Sequence, residues 1–234
     1  MKPKLALLAV ASACSLCLPA QAADAGKDFD TGAANLLAVV RESPGANKPD
    51  EALRPVGPIQ ARLADGREVT FEASWFNYLG DLHLRLVFDG ERRVQSVVPD
   101  DLARLHLSPE QALDRAVQNL RERYGPAEAM PWSGQLMQVQ GRAAELNSSF
   151  LLDRQFWLQQ LARHPDGIVV AVPSRGGLVF APAADEAALL SLRFSAAALY
   201  AANDRDRVSS ALYLFKAGRW SVFQAAQPVV ASDR

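Results

Sequence analysis

The chain has 234 residues, 49% of them hydrophobic, with 25 Lys and Arg against 26 Asp and Glu for a formal charge of −1. That length accommodates one sizeable core or two small ones, and the mildly acidic balance argues against a general nucleic-acid binder. Both cysteines, Cys14 and Cys17, stand near the start of the chain, so the rest has no disulfide, thiolate metal site or cysteine nucleophile.

Lys2 and Lys4 give a basic start, Leu5 to Leu18 an apolar stretch, and Ala20-Gln21-Ala22 the small-x-small pattern of an export-signal cleavage site. A mature chain beginning at Ala23 is therefore expected. The apolar run ends at Pro19, short of the roughly 20 residues that a membrane span needs. Ala11-Ser12-Ala13 before Cys14 fits a lipoprotein box poorly. Cleavage after residue 22 leaves 212 of the 234 residues, no cysteine and a formal charge of −3, since Lys2 and Lys4 leave with the signal. No later segment is long and apolar enough to span a bilayer, so the mature protein is expected to be soluble.

Asp28 to Ser43 reads as a first helix, with Leu36, Leu37, Val39 and Val40 on its apolar side, stopped by Pro44-Gly45. Ser43 to Pro58 is a linker. Ile59 to Ala73 forms a hairpin around Asp65-Gly66. A three-residue loop with Gly66 in the left-handed region pairs Ala61 with Val69 and Ile59 with Phe71, keeping apolar residues together where a two-residue loop would mix the faces. Leu82, Leu84, Leu86 and Phe88 alternate with His83, Arg85 and Val87, the pattern of a half-buried strand, and Asp89-Gly90 turns it into Val94 to Val98.

Ser108-Pro109-Glu110-Gln111 carries the signals of a helix start: a cap, a proline at the first position and a capping box. Leu113, Ala116, Val117, Leu120 and Tyr124 follow at helical spacing, and Gly125-Pro126 stops the helix. A strand is expected around Val139, then a helix from Phe150 to Arg163 opened by Ser148 or Ser149 and carrying Trp157 and Leu161. Ile168 to Val172, bounded by Pro165-Asp166-Gly167 and Pro173, is a short β-branched run that predicts a central strand buried on both faces. Ser174-Arg175-Gly176-Gly177 turns it into Leu178 to Ala181. Asp185 to Ala202 is a long alanine-rich helix with Leu189, Leu192, Ala196 and Leu199 on one stripe. Leu212 to Phe215 and Trp220 to Phe223 form a last hairpin. With Gly218 closing a three-residue loop, Leu214 faces Trp220 and Leu212 faces Val222. Gln224 onward is a tail.

Leu105 to Arg123, Gly167 to Val179 with its Ala-Val-Pro core, and Leu199 to Val222 together resemble the YtpQ-like bacterial family, a domain of unknown function (number 1444), over Val97 to Phe223. The resemblance implies an α+β domain with no assigned activity, so it supplies no functional residues. The export signal is a departure from that family's cytoplasmic pattern.

Spacing argues against the familiar catalytic and metal constellations. His164, Asp166 and Ser174 lie at opposite ends of one strand, more than about 20 Å apart at roughly 3.3 Å per residue, too far for a hydrolytic triad. There is no Gly-x-Ser-x-Gly elbow. His83, His106 and His164 form no His-x-x-x-His pair, and His83 is expected on an exposed strand face. Asp100-Asp101 precede a helix, where negative charge is favoured anyway. Gly176-Gly177 lack the Lys-Ser/Thr and following helix of a phosphate loop. What remains is the aromatic stretch Trp75, Phe76 and Tyr78, able to anchor a partner or to cap the sheet core, and Arg175 at its turn, able to meet an anion.

The expectation is thus an α+β protein, mainly antiparallel sheet with hairpins and three to four packing helices. Residues 1–22 form the signal, 23–104 a helix with antiparallel strands, 105–227 the α+β part and 228–234 a tail. No catalytic, cofactor-binding or metal residues are assigned. The functional expectation is a non-catalytic exported binding or accessory module of the cell envelope, whose partner is an envelope protein or cell-wall component. The alternative is a carboxylate-dependent hydrolase of envelope material. A domain with a purely structural role fits the same sequence features as the first.

Overall fold

The computed structural model describes residues 29–42, 48–63, 65–90, 93–203 and 205–226. The expected signal, 1–22, and the tail from 228 lie outside the described residues. In chain order the first half holds strands β1 (Leu36–Glu42), β2 (Arg54–Pro55), β3 (Ile59–Arg62), β4 (Glu68–Phe71), β5 (Trp75–Asn77), β6 (Leu82–Asp89) and β7 (Val94–Ser96). Helices α1 (Pro99–Arg104) and α2 (Pro109–Tyr124) follow, then β8 (Glu128–Pro131) and β9 (Met137–Gln140). A 3-10 helix (Ala144–Leu152) leads into α3 (Arg154–Arg163), β10 (Ile168–Ser174), β11 (Gly177–Pro182), α4 (Glu186–Ala202), β12 (Leu212–Lys216) and β13 (Arg219–Gln224). The fold is α+β, and every strand pairing between these elements is antiparallel.

β10 is the centre of a six-stranded sheet in the order β13-β12-β10-β11-β9-β8. Ile168 to Val172 are fully buried. Strand alternation divides them: Ile168, Val170 and Val172 enter one core with Phe180, Tyr213, Phe215 and Trp157, while Val169 and Ala171 pack under Ala188, Leu192 and Ala196 of α4. Trp157 anchors the first core. Its ring meets Phe180 and Trp220 edge-on at centroid distances of 5.5 and 5.3 Å, and its indole N–H donates to the Phe150 carbonyl at 2.9 Å.

A second sheet runs β1-β6-β5-β2, with β7 continuing the β5 side of β6. Leu36 and Ala38 of β1, with Leu86 and Phe88 of β6, pack with Ala112 and Ala116 of α2. Leu37 and Val39, on the opposite face, join the core that β10 and Trp157 share. Where a helix is expected over Asp28 to Ser43, whose two end residues lie outside the described ones, the structure has a 3-10 turn at Ala33–Asn35 and then the strand Leu36–Glu42. Leu36 to Val40 are all buried, which a one-sided helical stripe cannot achieve, and the β-branched Val39-Val40 pair suits the pleated surface. β6 is likewise more buried than alternation suggested, because both its faces are covered.

Turn chemistry decides the registers. The β3–β4 hairpin pairs Ile59 with Phe71 and Ala61 with Val69, with Gly66 at φ 86°, the three-residue loop expected. The β12–β13 hairpin departs from expectation by one residue: Phe215 faces Trp220 and Tyr213 faces Val222. Ala217 and Gly218 both take positive φ, 49° and 74°, so the loop is the two-residue type that matches strand twist. That register puts Phe215 and Trp220 side by side in the core, 4.8 Å apart.

Ser108 and Gln111 make the expected capping box on α2, and Gly125 ends the helix at φ 78°. α3 starts later than expected. Ser148 and Ser149 are buried inside the 3-10 helix, and Asp153 is the cap, accepting from the Phe156 N–H at 3.0 Å while Arg121 grips both its oxygens. The buried stripe of α4 is Ala188, Leu192, Ala196 and Tyr200, with Leu189 and Leu199 flanking it half-buried. No helix among the described residues is long and apolar enough to cross a membrane.

Val170→Asp should abolish the cooperative thermal transition. An unpaired charge on a strand covered on both faces costs at least about 3–5 kcal/mol, a large part of a domain's stability. Melting close to that of the unsubstituted chain would show that β10 is not the buried centre.

Candidate functional site

The apolar rows that join the two sheets end in a group of cations. On the β1–β6–β5 sheet, Val39 pairs with Arg85, which pairs with Trp75, and Arg41 pairs with His83, which pairs with Asn77. Alternation places Arg41, His83, Arg85 and Trp75 on the face that carries Leu37 and Val39 into the shared core. From the other sheet comes Arg175, at the two-residue turn between β10 and β11. That turn is held firmly. The Arg175 N–H donates to the Asp206 carbonyl and its own carbonyl accepts from the Ser148 N–H, both at 2.9 Å, while the Gly176 carbonyl accepts from Asn147 at 3.2 Å. A side chain at Gly176 would press on the Ala144 carbonyl, 3.2 Å from an added Cβ.

The three guanidiniums sense one another. Arg41 is lowered to about 10, by burial first and then by Arg175 and Arg85, with Asp206 opposing. Arg85 is lowered by burial and then by Arg175. Like charges gathered in partly buried ground destabilise a fold, so a compensating anion is the natural complement. Asp206 is the carboxylate that answers them, 3.4 Å from Arg175 and half exposed.

His83 does not add a fourth charge. Its Nε2 accepts from Arg85 Nε at 2.8 Å, which leaves the proton on Nδ1. Burial, then Arg85, drives its pKa down to about 4, with Arg41 adding to this and the Glu42 main chain opposing it. The exposed histidine expected from the sequence is thus a buried neutral one, 6% accessible. Arg85 also lies flat on Trp75, its central carbon 3.8 Å from the ring centroid, and Phe71 of the β3–β4 hairpin meets that ring edge-on at 6.2 Å.

The patch contains donors without acceptors. Trp75 Nε1, His83 Nδ1 and Arg175 Nε are buried without a hydrogen-bond partner, as is Ser148 Oγ beside the Arg175 turn. Buried polar groups of this kind are met in folded proteins by ordered water, an ion or a ligand.

The aromatic stretch divides. Trp75 and Arg175 both neighbour Arg85, Trp75 under its guanidinium and Arg175 through its charge, whereas Phe76 and Tyr78 are core side chains, each 4% accessible, with Tyr78 at the lining of a separate groove. Tyr78 donates its hydroxyl to Glu51. Arg41 and Arg85 were not foreseen; the signal was a charge on strands too apolar to have a solvent face.

The other candidates stay apart. His164 ends α3 and Ser174 ends β10, at opposite ends of that strand. Asp101 serves the first turn of α1, accepting from the Val98 N–H and pairing with Arg104, both at 3.1 Å. Acidic residues do line a groove of about 680 Å³, with Asp50, Glu51, Glu110 and Asp114 around Trp220 and Arg154. Glu51 is committed to Tyr78 and to Arg154 at 2.5 Å, and Glu110 to the Ser108 hydroxyl at 2.9 Å, so two of the four are already engaged. Asp81 and Glu42 act as ties between the two halves, Asp81 accepting from Ser209 and from Tyr213 of β12 at 2.7 and 2.5 Å and Glu42 of β1 from Tyr200 of α4 at 2.7 Å. No family model matches the chain, and neither do any curated protein or solved structure.

The neutral His83 makes stability depend on pH. Between the unfolded value of 6.5 and the folded value of about 4, the unfolded chain takes up a proton that the fold refuses. His83 therefore contributes fully above pH 6.5, and the contribution is lost as pH falls toward 4. Discounted for screening through the open side of the patch, the loss is roughly 2 kcal/mol. His83→Gln should flatten that part of the stability–pH curve, measured by urea denaturation. An unchanged slope would mean that His83 does not titrate there.

Proposed function

We propose that the protein is a non-catalytic binding module of the cell envelope whose ligand presents an anionic group to Arg41, Arg85 and Arg175, with Trp75 as the adjoining ring surface. One observation carries the reading: Arg41 and Arg85 share one face of adjacent strands, the charge of Arg175 in the β10–β11 turn acts on both, and Trp75, His83 and Arg175 hold buried N–H groups without a protein acceptor. Such a set has donors and positive charge to offer to an anion. His83 is held neutral with its Nε2 occupied by Arg85. Export through the 1–22 segment supplies the compartment, where anionic glycans and lipids are abundant partners. The resemblance to the YtpQ-like family is compatible with this reading and adds no ligand of its own.

The compartment is tested by the mature N-terminus. Mass spectrometry of the protein recovered from expressing cells should find it beginning at Ala23; a start at Met1, or at a lipidated cysteine, would contradict the address.

The site is tested by immobilising the chain and measuring retention of anionic envelope material as salt is raised. The double variant Arg41→Gln/Arg175→Gln should bind about 100-fold more weakly, at roughly tenfold for each charge-assisted bond lost. Its melting temperature should equal or exceed that of the unsubstituted chain, because like charges have been separated. Equal retention by the folded double variant would place the site elsewhere.

A further inference from the structure

We infer that the anion this patch is built for is a doubly charged phosphate monoester group. The inference rests on the anion-binding reading above and narrows it to one chemistry. Charge comes first. Among the described residues, Arg41, Arg85 and Arg175 are answered by one carboxylate, Asp206, while His83 is neutral, so positive charge is in excess there by about two. A single carboxylate, or a phosphodiester with its one charge, would leave part of that excess unanswered. A phosphate monoester carries about 1.5 to 2 negative charges at neutral pH.

Direction comes second. A carboxylate is flat and is best held by one guanidinium fork along one edge. Here the donors arrive from two bodies of the fold. Arg41 and Arg85 rise from adjacent strands of one sheet, and Arg175 comes from a turn of the other sheet. The neutral N–H groups of Trp75 and His83 sit beside Arg85, with the His83 ring 5.9 Å from the Trp75 ring and its Nε2 bonded to Arg85. A tetrahedral group directs three free oxygens toward different sides, which suits cations carried on two sheets better than a flat carboxylate does.

Position comes third. Arg41, Arg85, Arg175 and Trp75 are half-buried rather than sealed, so a phosphate reaches the open parts of the guanidiniums while the alcohol portion of the ester stays outside, and meeting the buried Arg175 Nε requires that side chain to turn. That portion could belong to a soluble metabolite or sugar, or to a lipid headgroup; the phosphate chemistry is the same.

The test is isothermal titration of protein purified from cells expressing the full chain, using inorganic phosphate, glycerol 1-phosphate, dimethyl phosphate and succinate. A parallel flotation assay uses vesicles with or without phosphatidic acid. Inorganic phosphate and glycerol 1-phosphate should bind, dimethyl phosphate at least tenfold more weakly. Arg41→Gln, Arg85→Gln and Arg175→Gln should each weaken glycerol 1-phosphate binding about tenfold or more. Arg85→Lys, which keeps the charge but loses the fork, should bind more weakly than the unsubstituted chain and better than Arg85→Gln. Flotation with phosphatidic acid vesicles, lost in the same variants, would assign the lipid source; binding of the soluble ester without flotation would assign the soluble one. Binding of succinate with no response to phosphate would overturn the phosphate assignment and leave the anion site standing. Absence of binding by every probe, with the variants folded and silent, would overturn both.

Discussion

Ile168 to Val172 lie at zero exposure between two apolar layers, and the arrangement of the molecule follows from covering both sides of that one strand. Each large side chain removed from water contributes about 1.5–3 kcal/mol, so the run accounts for stabilisation of the same order as a whole domain's net stability. Its hydrogen bonds are taken up by β11 and β12, its one face by α4, and its other face by a core that includes Trp157 and the apolar rows of the second sheet. The alanines of α4 matter here because a small-residue face lets the helix settle closely on Val169 and Ala171.

The cationic patch stands where that apolar contact runs out. Leu37 and Val39 give way to Arg41 along β1, Val87 gives way to Arg85 and His83 along β6, and β10 ends at Ser174 with Arg175 in the turn. Rigid strands on both sides thus hold the three guanidiniums against their mutual repulsion. Such an arrangement lowers stability, a cost that the proposed anion binding accounts for. The same layout explains the neutral histidine. With Arg85 donating to Nε2 and Arg41 nearby, a proton on that nitrogen would have no room electrostatically.

Much of the second half was legible because its signals are local. The Ser108 capping box, the Gly125 stop and the β-branched run at Ile168 each depend on residues within a few positions of one another. Errors arose where long-range contacts decide. Leu36 to Val40 has helical spacing as well as strand composition, and only pairing with β6 and cover on both faces settles it as a strand. The β12–β13 register turned on whether Ala217 adopts a positive φ, which an alanine does not announce in the sequence, and the resulting two-residue turn sets Phe215 against Trp220. Trp75 and Arg175 were visible singly, as a ring near a strand end and a cation in a turn. Their meeting with Arg41 and Arg85 was not, because four separate elements bring them together. Phe76 and Tyr78 were inseparable from Trp75 in the sequence, and only burial sorts them.

The most direct test of the central claim is where an anion settles on the folded molecule. Crystals of the protein soaked in arsenate, a tetrahedral dianion with a usable anomalous signal, should show a peak within hydrogen-bonding distance of Arg41, Arg85 and Arg175. The Asp206 carboxylate should be turned away from Arg175 relative to the 3.4 Å pairing of the free form. A peak confined to other surfaces, with Arg175 still paired to Asp206 and the patch empty, would contradict the account.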